Sequence, residues 1–228
     1  KKPVVFYAST NKVYGEMSDM TIIEKKTGYA YQRMPFGISE KQPLDFHSPY
    51  GCSKGVADQY VRDYSRIYGL KTVVFRQSCV YCPRQFGIED HGLVAWFIIA
   101  LVIGKNINIY GNGKQVRDLL HVTDLISAYD LCLKNIIKTS GQIYNIGGGA
   151  KNTMSVWYEF VPMLESLFKK KISAKFLPSR PGDQPIFIAD VRKAFKDFGW
   201  KPKISLETGI RSLYNWVVEN KSLFKEFA

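Results

Sequence analysis

The chain has 228 residues, 46% hydrophobic and 23% charged, with a formal net charge of +12. This composition excludes a disordered or fibrous chain and suffices for a sizeable core, as one large or two small domains. The charge calls for an anionic partner such as phosphates on a small molecule; no DNA- or RNA-reading motif accompanies it, so nucleic acid is not expected.

Pro3 to Ser9, PVVFYAS, reads as a buried strand, because a short β-branched and aromatic run ends in small polar residues. Asp19 to Phe46 is polar, aromatic and dotted with glycine, without periodicity, and reads as a long functional loop. A helix is predicted from Ser48 as N-cap, with Pro49 in its first turn and Gly69 after its end. Its apolar face holds Val56, Tyr60, Val61, Tyr64 and Ile67.

LKTVVFRQS and GQIYNIGG read as further buried strands, with a helix from Thr123 to Asn135 between them. Strands alternating with helices give an α/β fold with a parallel sheet. The apolar run Leu93–Ile103 is too short to span a bilayer and reads as a buried helix, so no membrane is expected. SVWYEFVPMLESLFKK is a helix with Pro162 as a kink, SAKFLPSRPGDQ a short strand and loop, and ETGIRSLYNWVVEN a closing amphipathic helix. The expected division is residues 1–150 for the sheet domain and 151–228 mainly for a smaller α/β lobe, with interleaved segments. Four cysteines without a secretion signal point to a reducing, cytoplasmic setting. The lone CxxC at Cys79 and Cys82 has no second pair to complete a zinc site, and no metal is expected.

Tyr50 and Lys54 stand four apart, so on a helix they share one face. An ammonium one turn from a phenol favours the phenolate, which suits proton transfer. By itself the spacing is weak, since a chain with 14 tyrosines and many lysines produces it by chance. Thr10 follows the first strand, where open α/β sheets place ligand crevices, and its hydroxyl could hold a substrate alcohol. The alternative for Thr10 is a turn hydroxyl bonded to its own backbone.

The segments STNKVYG, SPYGCSK, VVFRQSCVYCPRQFG, IYGNGKQVRDLLHVTDL, YNIGGG, SRPGDQPIFIADVRKA and FGWKPKISLETGI occur in that order. Over essentially the whole chain they resemble the extended short-chain dehydrogenase/reductase family of nucleotide-sugar epimerases and dehydratases. The resemblance implies a Rossmann-type parallel sheet with a smaller α/β substrate-binding lobe, NAD as cofactor, and Thr10, Tyr50 and Lys54 as the catalytic set. Tyr50, Lys54, Ser78 and Cys79 would lie near the nicotinamide and its ribose. Arg117 and Arg180 would hold the diphosphate, with Arg84 weaker, and Asp183 would accept from the nucleotide ribose. The alternative for Arg117 is an ion pair with Asp118 or Asp124.

Family dehydratases carry an Asp-Glu pair after the threonine, to eliminate water; here Asn11–Lys12 stands there, which disfavours dehydration and leaves Asn11 for substrate. The motifs look most like an epimerase acting on a CDP-linked deoxyhexose. Another epimerisation, such as at carbon 4, and a non-catalytic nucleotide-sugar-binding fragment stay open. The resemblance also implies a homo-oligomer in the full-length form, since the Tyr50 helix often forms a dimer interface in this family.

Two departures stand out. Cys82 replaces the family's usual turn glycine, which would cost on the order of 1 kcal/mol if the site needs a positive φ. The glycine-rich NAD fingerprint is absent: GNGKQV at Gly111–Val116 and GGGAKN at Gly147–Asn152 lack the third glycine and read as turns. The expectation is a C-terminal portion of the fold, with roughly 100 residues of βαβ structure preceding it, and weak NAD binding by the isolated chain.

Overall fold

The computed structural model describes residues 3–227. Three parallel strands form the main sheet. β1 (Val4–Thr10) pairs with β4 (Lys71–Gln77), and β4 pairs with β8 (Gln142–Ile146). The central strand β4 is the most deeply buried, with Val73, Val74 and Phe75 at 0–1% exposure, as a continuous β-branched and aromatic run requires. Helix α1 (Ser48–Tyr68) connects β1 to β4 and packs on both. This is the α/β arrangement of a Rossmann-type sheet.

The loop between β1 and α1 is more ordered than its sequence suggests: β2 (Ile22–Glu24) and β3 (Tyr29–Tyr31) form a short antiparallel hairpin. Strands of three residues are too short to show a period. After β4 come β5 (Cys79–Tyr81), α2 (Leu93–Ile103), β6 (Ile107–Tyr110), β7 (Val116–His121), α3 (Val122–Lys134) and α4 (Ile136–Thr139). After β8 come β9 (Thr153–Ser155), α5 (Val161–Phe168), β10 (Ala174–Leu177), β11 (Ile186–Phe187), α6 (Arg192–Phe198) and α7 (Leu206–Glu219). β11, β7 and β5 make a second parallel sheet with β9 antiparallel to β7, while β10 pairs with β6.

Helix α2 is apolar all round and buried at the centre of the largest core cluster, against α5, α7 and β6. A second cluster joins β4 and β8 to α3, α6 and Trp200. Trp200 Nε1 donates to Asp124 O at 2.9 Å, and Asp124 Oδ2 accepts from Lys203 and Ile204 N–H, so Asp124 fastens the chain ahead of α7 instead of meeting Arg117.

Two expectations change and one is sharpened. The apolar stripe of α1 faces outward, with Val56 49%, Tyr60 65% and Ile67 64% exposed, while Gly51, Gly55 and Asp58 face inward. A Cβ at Gly55 would collide with the Phe46 ring, so the glycine face is the one that can approach the core. The irregularity at Pro162 takes a specific form: a π-helical turn, Val156–Phe160, runs directly into α5 with helical dihedrals at Phe160 and Val161, so the helix departs from α geometry just ahead of the proline. Cys82 is not at a positive φ; that conformation falls two residues on, at Arg84 (φ 67°).

Candidate active site

Thr10 is the last residue of β1, and the chain turns there into a single 3-10 turn, Asn11–Tyr14. Thr10 Oγ1 accepts from Lys12 N–H at 3.3 Å, so this hydroxyl does cap its own turn, and it also faces a cleft of about 300 Å³. Tyr50 meets the same cleft from the first turn of α1. That turn is held by Ser48, whose hydroxyl accepts from Gly51 N–H at 3.2 Å while its backbone takes φ 69°. A non-glycine residue at such a φ is strained, and the strain sits two residues from Tyr50.

The Tyr50 hydroxyl has no hydrogen-bond partner among the described residues, and the side chain is 50% exposed. Lys54 Nζ donates to Ala8 O at 2.9 Å and lies 5.4 Å from the centre of the Tyr7 ring. The lysine is thus anchored to β1 with donors to spare, one turn beyond Tyr50 on α1.

Asn11, Ser78, Cys79, Arg117, Arg180 and Asp183 also line the cleft; Arg84 does not. The Asn11 amide donates to Gln184 Oε1 at 3.0 Å. Ser78 Oγ donates to Asp118, a fully buried carboxylate that also accepts from Gly149 and Ala189 N–H. Burial pushes the Asp118 carboxyl up, against those donors, and pushes the Cys79 thiol up to about 11.

Arg117 pairs with neither Asp118 nor Asp124 but with Asp183, at 2.8 Å, and Lys12 Nζ joins the same carboxylate oxygen at 3.2 Å. Burial alone would raise the Asp183 carboxyl; Arg117 and Lys12 outweigh it and hold it below the ordinary range. The Lys12 ammonium is lowered by burial and then by Arg117, with Asp183 opposing. Arg180 pairs with Asp90 at 2.6 Å and lies 3.7 Å from the centre of the Tyr110 ring. Glu89 accepts from Asn108 and Tyr110, and those two donors hold it below the ordinary range. Glu89 and Tyr110, which line the cleft, and Gln184, which holds Asn11 from behind, are contacts that sequence patterns did not bring forward.

A depressed folded-state carboxyl stabilises the fold above its ordinary value near 4, and that contribution is lost as pH falls through the lower folded value. Asp183→Asn is therefore expected to cost about 1 kcal/mol or less at pH 7, because the pair is partly solvated. Its acid limb should also be shallower than wild type in urea titrations run from pH 6 down to about pH 2. Parallel limbs would show that Asp183 carries no such linkage.

A sheet whose edge strand β1 ends at a hydroxyl, a tyrosine one helical turn from a lysine, and a polar cleft with two arginines together fit an extended short-chain dehydrogenase/reductase. A family model described as GDP-mannose 4,6 dehydratase matches residues 1–213, and the chain belongs to that family of nucleotide-sugar epimerases and dehydratases. It is 45% identical to CDP-paratose 2-epimerase of Salmonella typhi over 217 residues, covering 93% of this chain and 64% of that protein. Among solved structures it resembles dTDP-glucose 4,6-dehydratase from Bacillus anthracis in complex with NAD (TM-score 0.79, 28% identity, 99% of this chain and 65% of that one). It also resembles UDP-glucuronic acid 4-epimerase from Bacillus cereus in complex with UDP-glucuronic acid and NAD (TM-score 0.78, 28% identity, 96% and 61%). The chain thus spans less than two thirds of the length of these relatives.

Proposed function

We propose that the whole protein inverts carbon 2 of CDP-paratose to give CDP-tyvelose through a transient keto sugar, with NAD as cofactor. The observation that carries this reading is the Thr10 corner. Asn11 is tied to Gln184 and Lys12 to Asp183, so the two residues after the threonine offer no carboxylate pair for eliminating water, as the dehydratase name of the family would require. The 45% identity to a CDP-paratose 2-epimerase supports the same choice.

Two groups fit the reacting end of NAD: the Tyr50 oxygen, at the cleft, is unpartnered among the described residues, and Lys54, which does not line the cleft, keeps donors free beside its bond to Ala8 O. NAD, when bound, supplies a reversible two-electron acceptor. Tyr50 takes the proton from the substrate hydroxyl and returns it after the ketone has turned its other face. Thr10 holds the reacting oxygen, and Lys54, one helical turn beyond Tyr50, keeps donors free for the cofactor. Arg117 and Arg180, already preorganised by Asp183 and Asp90, meet the diphosphate with planar donor forks. Asp183, between Lys12 and Arg117, is the acceptor for the nucleotide ribose. Ser78 and Cys79 form the wall beside the nicotinamide. The outward apolar stripe of α1 is the surface on which a homo-oligomer would close.

The test is product analysis by NMR of the whole protein with NAD and CDP-paratose deuterated at carbon 2. CDP-tyvelose retaining the label is the expected product. Turnover of UDP-hexoses at carbon 4 with none of CDP-paratose would move the reading to a 4-epimerase. CDP binding without turnover of either substrate would leave a nucleotide-sugar-binding protein.

A further inference from the structure

A second cavity, of about 680 Å³, shares no lining residue with the Thr10 cleft. It is bounded by the segment Ser39–Leu44, the later turns of α1, the start of β8, and α6. β8 lies on the opposite edge of the main sheet from β1. The cavity wall carries seven cationic side chains against two carboxylates, Glu40 and Asp190.

The charges divide into two groups. Three cations are fixed within the protein: Arg76 is clamped on Asp58, Arg192 on Asp190, and Lys193 Nζ donates to Gln142 Oε1 and Ile143 O at 3.0 and 2.7 Å. The other four, Lys41, Arg62, Arg66 and Lys196, have no side-chain hydrogen bond or ion pair among the described residues. Of the two wall carboxylates, Asp190 is taken by Arg192 and Glu40 accepts from Asn145 N–H, so cations outnumber anions across the concave wall. Arg62 is lowered by burial and then by Arg66 and Arg76, with Asp58 opposing; Lys193 is lowered by burial, opposed first by Glu40 and Asp197, with Arg62 and Arg76 adding to the lowering.

A solvated lysine or arginine on a convex surface costs nothing, but cations converging on one concavity repel each other and focus a positive potential into it. The volume is in the range of small-molecule sites, and guanidinium forks suit phosphate oxygens. Arg62 and Arg66 are one helical turn apart on α1, spaced to reach two neighbouring phosphates from one side, with Lys193 and Lys196 facing from α6.

We propose that this basin is a binding site for a small anion carrying two or more phosphate groups, separate from the Thr10 cleft, with Arg62 and Arg66 as its principal ligands. Inorganic diphosphate and a nucleoside diphosphate share that chemistry.

The test is isothermal titration of the full chain with inorganic diphosphate and, separately, with CDP, at fixed ionic strength. The expected result is saturable diphosphate binding that weakens at least tenfold in Arg62→Gln/Arg66→Gln. It should change less than twofold in Lys25→Gln/Lys26→Gln, which removes the same charge from an exposed loop away from the basin. Lys41→Gln/Lys196→Gln supplies a second basin variant at exposed positions should the arginine pair fail to fold. In the CDP arm, binding lost in the basin variants and kept in Arg117→Gln makes a nucleotide the source. Diphosphate bound in the basin with CDP confined to the cleft makes it an inorganic one. Equal weakening in the loop variant would reduce the effect to net charge and overturn the proposal. So would diphosphate binding that survives in both basin variants and disappears in Arg117→Gln, and so would tight binding of an RNA oligomer with none of diphosphate.

Discussion

Tyr50→Phe in the whole protein is expected to lower kcat about 10²- to 10⁴-fold, the range for removing a positioned general acid–base group. The substitution deletes one oxygen and keeps the ring. That oxygen has no hydrogen-bond partner among the described residues and the side chain is 50% exposed, so the folded state loses nothing internal. The melting temperature should stay within about 2 °C of wild type, consistent with a surface substitution. KM for the nucleotide sugar should change little, because the proposed diphosphate ligands, Arg117 and Arg180, are held by Asp183 and Asp90 and not by Tyr50. Lys54→Met is a sharper contrast. It removes the anchor to Ala8 O as well as the charge, and should weaken NAD binding along with kcat. A Tyr50→Phe enzyme with activity within tenfold of wild type would remove Tyr50 from the chemistry.

The sequence displays the parallel sheet because β4 and β8 are continuous buried runs, and a strand buried on both faces has no choice of register to hide. It displays α2 for the same reason, since eleven consecutive apolar residues cannot face water. Helix α1 misleads because periodicity shows which residues share a face, not which face is buried. Its Val56, Tyr60 and Ile67 stripe is outward, and the glycines and one aspartate are inward. Of the site residues adjacent to motifs, Thr10, Asn11, Tyr50, Ser78 and Cys79 line one cleft, while Lys54 and Arg84 do not. What stays hidden are the partners that hold the charged ones. Arg117 takes Asp183 from 66 residues away, and Arg180 takes a stacking ring at Tyr110. No local spacing encodes such contacts, because they depend on how β6, β7 and the loop before β11 are brought together.

The largest stability effect is expected at the buried pair beneath the Thr10 corner. Asp58 and Arg76 are 0% and 3% exposed, and Asp58 accepts from Arg76 Nε and Nη2, both at 2.9 Å. Ser9, the neighbour of Thr10, donates to Asp58 Oδ2 at 2.7 Å. On the other side Arg76 Nη1 donates to the Tyr14 hydroxyl, which donates in turn to Asn145 Oδ1. Burial holds the Tyr14 phenol at about 12, so it remains a neutral donor at working pH. One network therefore ties α1, β1, the turn after Thr10, β4 and β8 together, and fixes the helix that carries Tyr50 against the strand that carries Thr10.

Asp58→Asn keeps the shape and removes the charge, leaving a guanidinium buried without a counterion. The expected loss is about 3–5 kcal/mol in equilibrium urea unfolding. The double variant Asp58→Leu/Arg76→Met removes both ions and should recover most of that loss, because an apolar replacement of a buried pair carries no desolvation penalty. If the double variant is as unstable as the single one, the loss comes from packing and the charge argument fails. If Asp58→Asn loses less than about 1 kcal/mol, the value of an exposed pair, water reaches Arg76 and the pair does not clamp the helix.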